Sequence, residues 1–285
     1  MRLLWFVSDT IHRDAFDAAL CDAHLSNDEK HHRRPHELLV PPTCDCIEMS
    51  IDTMDEMLLS AHADEANTDY LLVREERPKL ALFDMDSALI QQEVVDRLAA
   101  ACGLGDQVSA ITEGAMRGEL DFIESFTERL GLLSGLTESE LNGVYQRLTL
   151  MPGAEILTAN LAGAGVRLGV VSGGFSFFAD QIGDRLGMDF VVSNTLECRD
   201  GRVTGRVIPP IIDGSMKLQT LNTEARALGI DLVETLAVGD GANDIPMLTA
   251  SGIGVAHRAK PRVCDAANHC LSHHDLSALS YLIKF

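Results

Sequence analysis

The sequence predicts an α/β fold: a Rossmann-like parallel sheet covered by helices, interrupted by a helical insertion and preceded by a small α+β unit. Three observations predict it. From Pro78 onward, short apolar runs ending in Gly or Asp alternate with helix-length amphipathic stretches, the pattern of strands joined by covering helices. Between the first such strand and the next lie about 75 residues with helical periodicity and little strand character. Before Pro78 the segments run strand, helix, strand, strand, helix, strand, the order of ferredoxin-like domains.

Taken in order, residues 3–7 form an apolar strand. Residues 10–25 are helical, with Ile11, Ala15, Ala18 and Ala19 on one stripe and Phe16 and Leu20 beside it. Residues 38–40 and 46–51 read as strands, and the polar stretch 27–35, with His31-His32, as a solvated loop. Met54, Met57, Leu58 and Ala61 fall at i, i+3, i+4 and i+7, which predicts a helix over 54–67, followed by a strand over 70–73. Glu75-Glu76-Arg77-Pro78 is a charged linker whose proline keeps the preceding residue extended. The expected domains are therefore 1–77 and 78–285. In the second, residues 80–83 form a buried strand. Val94, Val95, Leu98 and Cys102 share one helical face, as do Phe122, Phe126 and Leu130, which predicts a helical cap over about 91–150. Residues 166–171 form a strand ending at Ser172-Gly173-Gly174, before a helix. Residues 190–192 form another. Segments 194–198 and 203–207 flank Asp200-Gly201, a hairpin turn. A helix over 215–228, a strand over 235–238 and a strand over 253–256 come next. His273-His274 precede Asp275, a helix start.

The bulk numbers narrow the function. The chain has 285 residues, 46% of them hydrophobic, and a net charge of −20 with pI about 4.7. Residues 1–76 carry about half of that charge. Such a balance argues against a general basic surface for nucleic acid or anionic membrane. Anionic substrates remain open, because a local metal or lysine inverts the field inside a site. No apolar run approaches the ~20 residues that span a bilayer. The run at 3–7 breaks into Ser8-Asp9 too early for a signal-peptide core, so the expected location is cytoplasmic. The seven cysteines are scattered, and Cys44-Asp45-Cys46 has no second pair at zinc spacing, so they read as reduced thiols.

Four segments carry chemistry. Asp84 and Asp86 come directly after the strand over 80–83. Side chains alternate along a strand, so the two carboxylates can point the same way. Two acids at one strand mouth call for a cation or a shared proton. Ser172-Gly173-Gly174 offers a hydroxyl and closely approachable backbone N–H groups, which suit an anion. Lys217 lies in the first turn of a helix, where a cation is disfavoured without a partner. Val238-Gly239-Asp240-Gly241-Ala242-Asn243-Asp244 ends a strand with two more acids. Ligands bind at such carboxyl ends of parallel strands.

The order Asp84-x-Asp86-Ser87, Ser172-Gly173, Lys217, Asp240-Gly241-Ala242-Asn243-Asp244 resembles the haloacid-dehalogenase-like superfamily of phosphotransferases over residues 79–285, and within it the phosphoserine phosphatase family. Glu93 stands at that family's spacing from Asp84. Thr112-x-x-Ala115-Met116-x-Gly118-x-Leu120-x-Phe122, with Ser125 and Arg129, resembles its cap. Met151-Pro152-Gly153, Asn194-x-Leu196 and Ala259-Lys260-Pro261 also fit. Ala88 departs from the family, which usually has Thr there.

The resemblance implies a Mg²⁺-dependent hydrolysis of O-phospho-L-serine, the last step of serine biosynthesis, through an aspartyl-phosphate on Asp84. Asp86 would act as acid and then base. The implied metal set is Asp84, the Asp86 backbone carbonyl, Asp240 and Asp244. The implied phosphate set is Ser172, Gly173, Lys217 and Asn243. Glu93 would match the substrate ammonium and Arg129 its carboxylate. Met116 and Phe122 would line an apolar wall. The N-terminal unit has the order and size of ACT domains and offers a surface for a homodimer. The alternatives are a phosphatase or phosphotransferase for another small ester, and a catalytically silent ligand sensor.

Overall fold

In the computed structural model, the described residues are 1–22, 30–33, 38–40, 42–50, 56–74, 76–116 and 119–283. Among them, β1 (Arg2–Val7), β2 (Lys30–Arg33), β3 (Asp45–Ser50) and β4 (Tyr70–Val73) form one sheet in the order β2-β3-β1-β4. Helices α1 (Thr10–Asp22) and α2 (Glu56–Ala66) connect them. The first and last strands are thus neighbours, as in a ferredoxin-like unit. Residues 23–25, 51 and 54–55 of the expected elements lie outside the described residues.

One expected strand is misplaced. Residues 38–40 are bends, and the second strand is Lys30–Arg33, which pairs antiparallel with β3. Its Lys-His-His-Arg sequence has no apolar alternation, so it reads as loop. Charged residues suit an edge strand, where they discourage pairing with another chain.

The second sheet contains β5 (Leu80–Phe83), β6 (Arg167–Phe175), β7 (Phe190–Arg199), β8 (Arg202–Ile208), β9 (Thr235–Gly239), β10 (Ile253–His257) and β11 (His269–Leu271), in the order β11-β10-β9-β5-β6-β7-β8. All neighbours are parallel except β7 and β8. Their turn, Asp200-Gly201, has φ of 51° and 72°, as a type I′ hairpin requires. Two strands are longer than the sequence suggests. β6 continues through Ser172-Gly173-Gly174, pairing with β7 across a register shift, and β7 runs unbroken from one sheet partner to the next.

The insertion after β5 contains α3 (Val94–Ala101), α4 (Gly105–Met116), α5 (Phe122–Leu132) and α6 (Glu138–Tyr145). Capping boxes at Asp121 and Thr137 start the last two. The sheet is covered by α7 (Ala154–Gly163), α8 (Ser176–Leu186), α9 (Gly214–Leu228), α10 (Ile245–Ala250) and α11 (Pro261–Cys264), with a 3-10 helix over Leu276–Leu282.

Alternation along β5 sends Ala81 and Phe83 into one buried cluster and Leu80 and Leu82 into another. The first cluster also holds Leu4, Phe6, Leu71 and Val73 of the N-terminal sheet, together with Leu279 and Tyr281. The two sheets therefore share one core, while Leu3, Trp5 and Val7 face α1 and α2. The cysteine expectation needs a correction. Cys264 and Cys270 are disulfide-bonded, because the turn from α11 to β11 brings their Cα atoms to 5.1 Å. Cys44, Cys102 and Cys198 are free thiols.

His257, at the end of β10, is fully buried, and among the described residues neither ring nitrogen makes a hydrogen bond of good geometry. Burial, then the Arg258 charge, pushes its pKa down to about 4. The folded chain therefore holds it neutral while the unfolded chain protonates it near pH 6.5. Its contribution is complete above about pH 6.5 and is lost as pH falls towards about 4, on the order of 3 kcal/mol. Urea unfolding of wild type and His257→Leu from pH 4 to 7.5 checks this. The variant should show the shallower loss below pH 6.5.

Candidate active site

The site lies at the carboxyl ends of β5, β6 and β9, where the chain order reverses across the sheet. A cavity of 220 Å³ there is lined by Asp84, Asp86, Glu93, Arg129, Ser172, Gly173, Asp240 and Asn243, together with Val95, Phe126, Gly174, Phe175 and Gly241. A larger cavity, 610 Å³, lies between the N-terminal sheet and the β10–β11 end, without a comparable set of acids and glycines.

Lys217 lies just beneath, fully buried, with Nζ 2.8 Å from Asp84 Oδ1 and donating to Asp244 Oδ1 at 2.5 Å. Asp213 caps α9 by accepting from the Met216 N–H, which fixes the turn that carries Lys217. Burial works against the ammonium, but the Asp244 and Asp84 carboxylates reverse this and hold its pKa above the usual lysine range. The lysine disfavoured by its helix terminus thus has two anionic partners.

Asp244 is also fully committed. Its Oδ2 accepts from the Asp240 and Gly241 N–H groups at 3.1 and 2.9 Å. Gly239 permits this, since a Cβ there would meet the Asp244 carboxylate at 2.5 Å. Asp84, Asp240 and Asp244 each offer an oxygen within 4.8 Å of the others. Asp84 Oδ1 is buried, with the Lys217 ammonium beside it at 2.8 Å. Burial, then the Asp244 charge, raises Asp84 to about 7. Burial, then the Asp84 charge, raises Asp240 to about 8. Three carboxylates crowded at one strand mouth fit a hard divalent cation, which prefers oxygen ligands.

Asp86 faces the same space. Its Oδ1 accepts from the Val94 N–H at the start of α3. Gly174 lets its other oxygen approach the β6 end, since a Cβ there would lie 2.7 Å from Asp86 Oδ2. Burial, then the Glu93 and Asp84 charges, raises its pKa well above the carboxylate range. Ser172 Oγ accepts from the Gly174 N–H at 2.9 Å. Asn194, fully buried, holds this bend by donating to Gly173 O and accepting from the Ile212 N–H.

From the cap, Glu93 accepts a hydrogen bond from Ser87 Oγ at 2.7 Å. Arg129 reaches the cavity from α5, with its Nε donating to Ser125 O. Met116 ends α4 and Phe122 begins α5, but their side chains, like Gly118, lie outside the described residues. Phe126 forms cavity wall. Its position three residues before Arg129 on one helix face was the available signal. Ala88 is buried and is not part of the lining.

Fold and site together define a parallel α/β sheet with acids gathered at its carboxyl edge beside a helical insertion. A model of the haloacid dehalogenase-like hydrolase family matches residues 81–249, and the chain belongs to that family. It is 43% identical over 244 residues to the phosphoserine phosphatase SerB2 of Mycobacterium tuberculosis, covering 86% of this chain and 59% of that protein. The chain spans 59%, 60% and 50% of the length of SerB2 and of the phosphoserine phosphatases of Archaeoglobus fulgidus and Streptomyces coelicolor. Its structure is similar over its whole length to a HAD family hydrolase from Salmonella enterica serovar Typhi, with a TM-score of 0.89 and 30% identity, covering 99% of that chain. It is also similar to a phospho-aspartyl intermediate analogue of phosphoserine phosphatase, at TM-score 0.68 and 37% identity, covering 73% of this chain and all of that one.

Proposed function

We propose that the protein is a phosphoserine phosphatase that hydrolyses O-phospho-L-serine to L-serine and phosphate. The observation that carries the reading is the meeting of Asp84, Asp86, Ser172, Asp240, Glu93 and Arg129 in one cavity, with Lys217 beneath. Asp84, Asp86, Ser172, Asp240 and Lys217 suit phosphoryl transfer in general. Glu93 and Arg129 select the substrate, because they offer opposite charges to an ammonium and a carboxylate.

Asp84 is the nucleophile. Its carboxylate oxygen bonds to phosphorus as the bond from phosphorus to the serine oxygen breaks, giving an aspartyl-phosphate. Asp86 donates its proton to the departing serine oxygen, then takes one from the water that attacks phosphorus and frees Asp84. Lys217 holds Asp84 and offsets phosphate charge, while Ser172, the Gly173 N–H and Asn243 donate to phosphoryl oxygens. Asp84, the Asp86 carbonyl and Asp240 would hold Mg²⁺, with Asp244 orienting the Asp240 loop. When bound, Mg²⁺ offsets the repulsion between carboxylate and phosphate.

On this reading residues 78–285 carry the chemistry, 91–150 form a cap that excludes water, and 1–77 are an accessory ACT-like domain able to support a homodimer. Among the described residues no helix is long and apolar enough to cross a membrane. A panel of small phosphate esters tests the substrate. The highest kcat/KM should fall on O-phospho-L-serine, and a flat profile contradicts the assignment. Added homoserine should not divert phosphate; if it does, the chain is a phosphotransferase.

A further inference from the structure

Asp69, in the turn between α2 and β4, is 5% exposed and gathers one segment of the catalytic part. Its Oδ1 accepts from the Ser272 N–H at 2.8 Å, and its Oδ2 from the His273 and His274 N–H groups at 2.9 and 2.7 Å. His274 Nδ1 lies 3.0 Å from the same Oδ2, and its Nε2 lies 3.2 Å from Ser8 Oγ. Burial pushes the Asp69 carboxyl up, but these hydrogen bonds reverse it and hold the pKa below its usual value. The group is therefore an anion matched to four donors.

The next residue continues the chain of contacts. Asp275 Oδ1 accepts from the Ser277 N–H, and its Oδ2 accepts from Thr43 Oγ1 at 2.9 Å. The Thr43 N–H donates to Ser277 Oγ at 3.0 Å. On its other side the same turn meets the point where the cap returns to the core. The Leu276 N–H donates to Pro152 O at 3.2 Å. Gly153 has φ of +80°, and a Cβ there would lie 2.3 Å from Ser277 N and 2.5 Å from Asp275 Oδ1. Residues 272–277 are thus gripped by the N-terminal unit on one face and press on Pro152-Gly153 with the other.

We propose that residues 272–277 are the link through which the N-terminal unit positions the cap: the Asp69–His274 clasp fixes this segment, and the segment fixes the Pro152-Gly153 hinge. Asp69, His274 and Thr43 are then positioning residues for a reaction none of them touches. The inference rests on the cap being a lid over the site, as proposed above, but its first readout needs no activity.

Hydrogen-exchange mass spectrometry on the full chain tests it. In Asp69→Ala the amides of residues 272–274 lose their acceptor and should exchange faster. The amides at 151–157 should quicken with them by about tenfold, while those of β9 stay unchanged. The kcat/KM for O-phospho-L-serine should fall about threefold or more. Thr43→Val removes one hydroxyl bond to Asp275 and should speed exchange at 151–157 by about threefold, which serves if Asp69→Ala does not fold. Unchanged exchange at 151–157 in the folded variants overturns the proposal, as does unchanged exchange at 272–274 in Asp69→Ala. A chain inactive on phosphoserine yet showing coupled exchange would instead overturn only the substrate assignment.

Discussion

Asp84→Asn should abolish turnover, lowering kcat by roughly 10⁴-fold or more, because the amide removes the nucleophile itself. The fold should persist. Asparagine has nearly the same shape, and the variant relieves the crowding that raises Asp84 to about 7 beside Asp244. It also takes one anion from Lys217, whose other partner, Asp244, still receives its hydrogen bond. Thermal unfolding within a few degrees of wild type, with phosphate release at background, is the expected pair of results. Retained phosphate release would mean that another group attacks phosphorus.

Arg129→Ala should separate recognition from chemistry. A guanidinium paired with a carboxylate contributes about 1.5–3 kcal/mol, so kcat/KM on O-phospho-L-serine should fall by roughly 10- to 150-fold. An aryl phosphate has no carboxylate to lose, and its kcat/KM should change by less than about threefold. Arg129 is half-buried, and its one described hydrogen bond goes to Ser125 O within the same helix, so its removal should cost little stability. Equal losses on the two substrates would show that Arg129 serves the cap's structure rather than the ligand.

These predictions draw on features legible to different degrees in the sequence. The core acids were readable because a buried strand dictates where the next residues emerge. Leu80 to Phe83 is buried throughout, so Asp84 and Asp86 had to emerge at its carboxyl end. Lys217 was readable as an anomaly, a cation at the wrong end of a helix, and the structure supplies Asp84 and Asp244 as its partners. The Ser172 bend was harder. Two glycines suggest a turn, yet the strand resumes its pairing with β7 at Phe175 after a register shift across Gly173-Gly174.

Other features depend on contacts between distant residues and leave no local pattern. The strand Lys30–Arg33 is specified by its partner β3 and not by its own composition. The Cys264–Cys270 bond arises from a turn that brings together two residues without a spacing motif. Asn194 matched a motif, but its work, tying Gly173 to Ile212, is visible only in three dimensions. The shared core was hidden for the same reason. Leu4 and Phe6 look like one face of a small independent sheet, and only the fold shows them packed with Leu279 and Tyr281.

The most direct test is phosphate release from O-phospho-L-serine by the purified full chain, with Mg²⁺ present and then removed by a chelator. Hydrolysis through Asp84 predicts rapid release with Mg²⁺, collapse to background with chelator, and recovery when Mg²⁺ is restored. Release that is indifferent to the cation, or none on phosphoserine while another small phosphate ester is turned over rapidly, would contradict the proposed function.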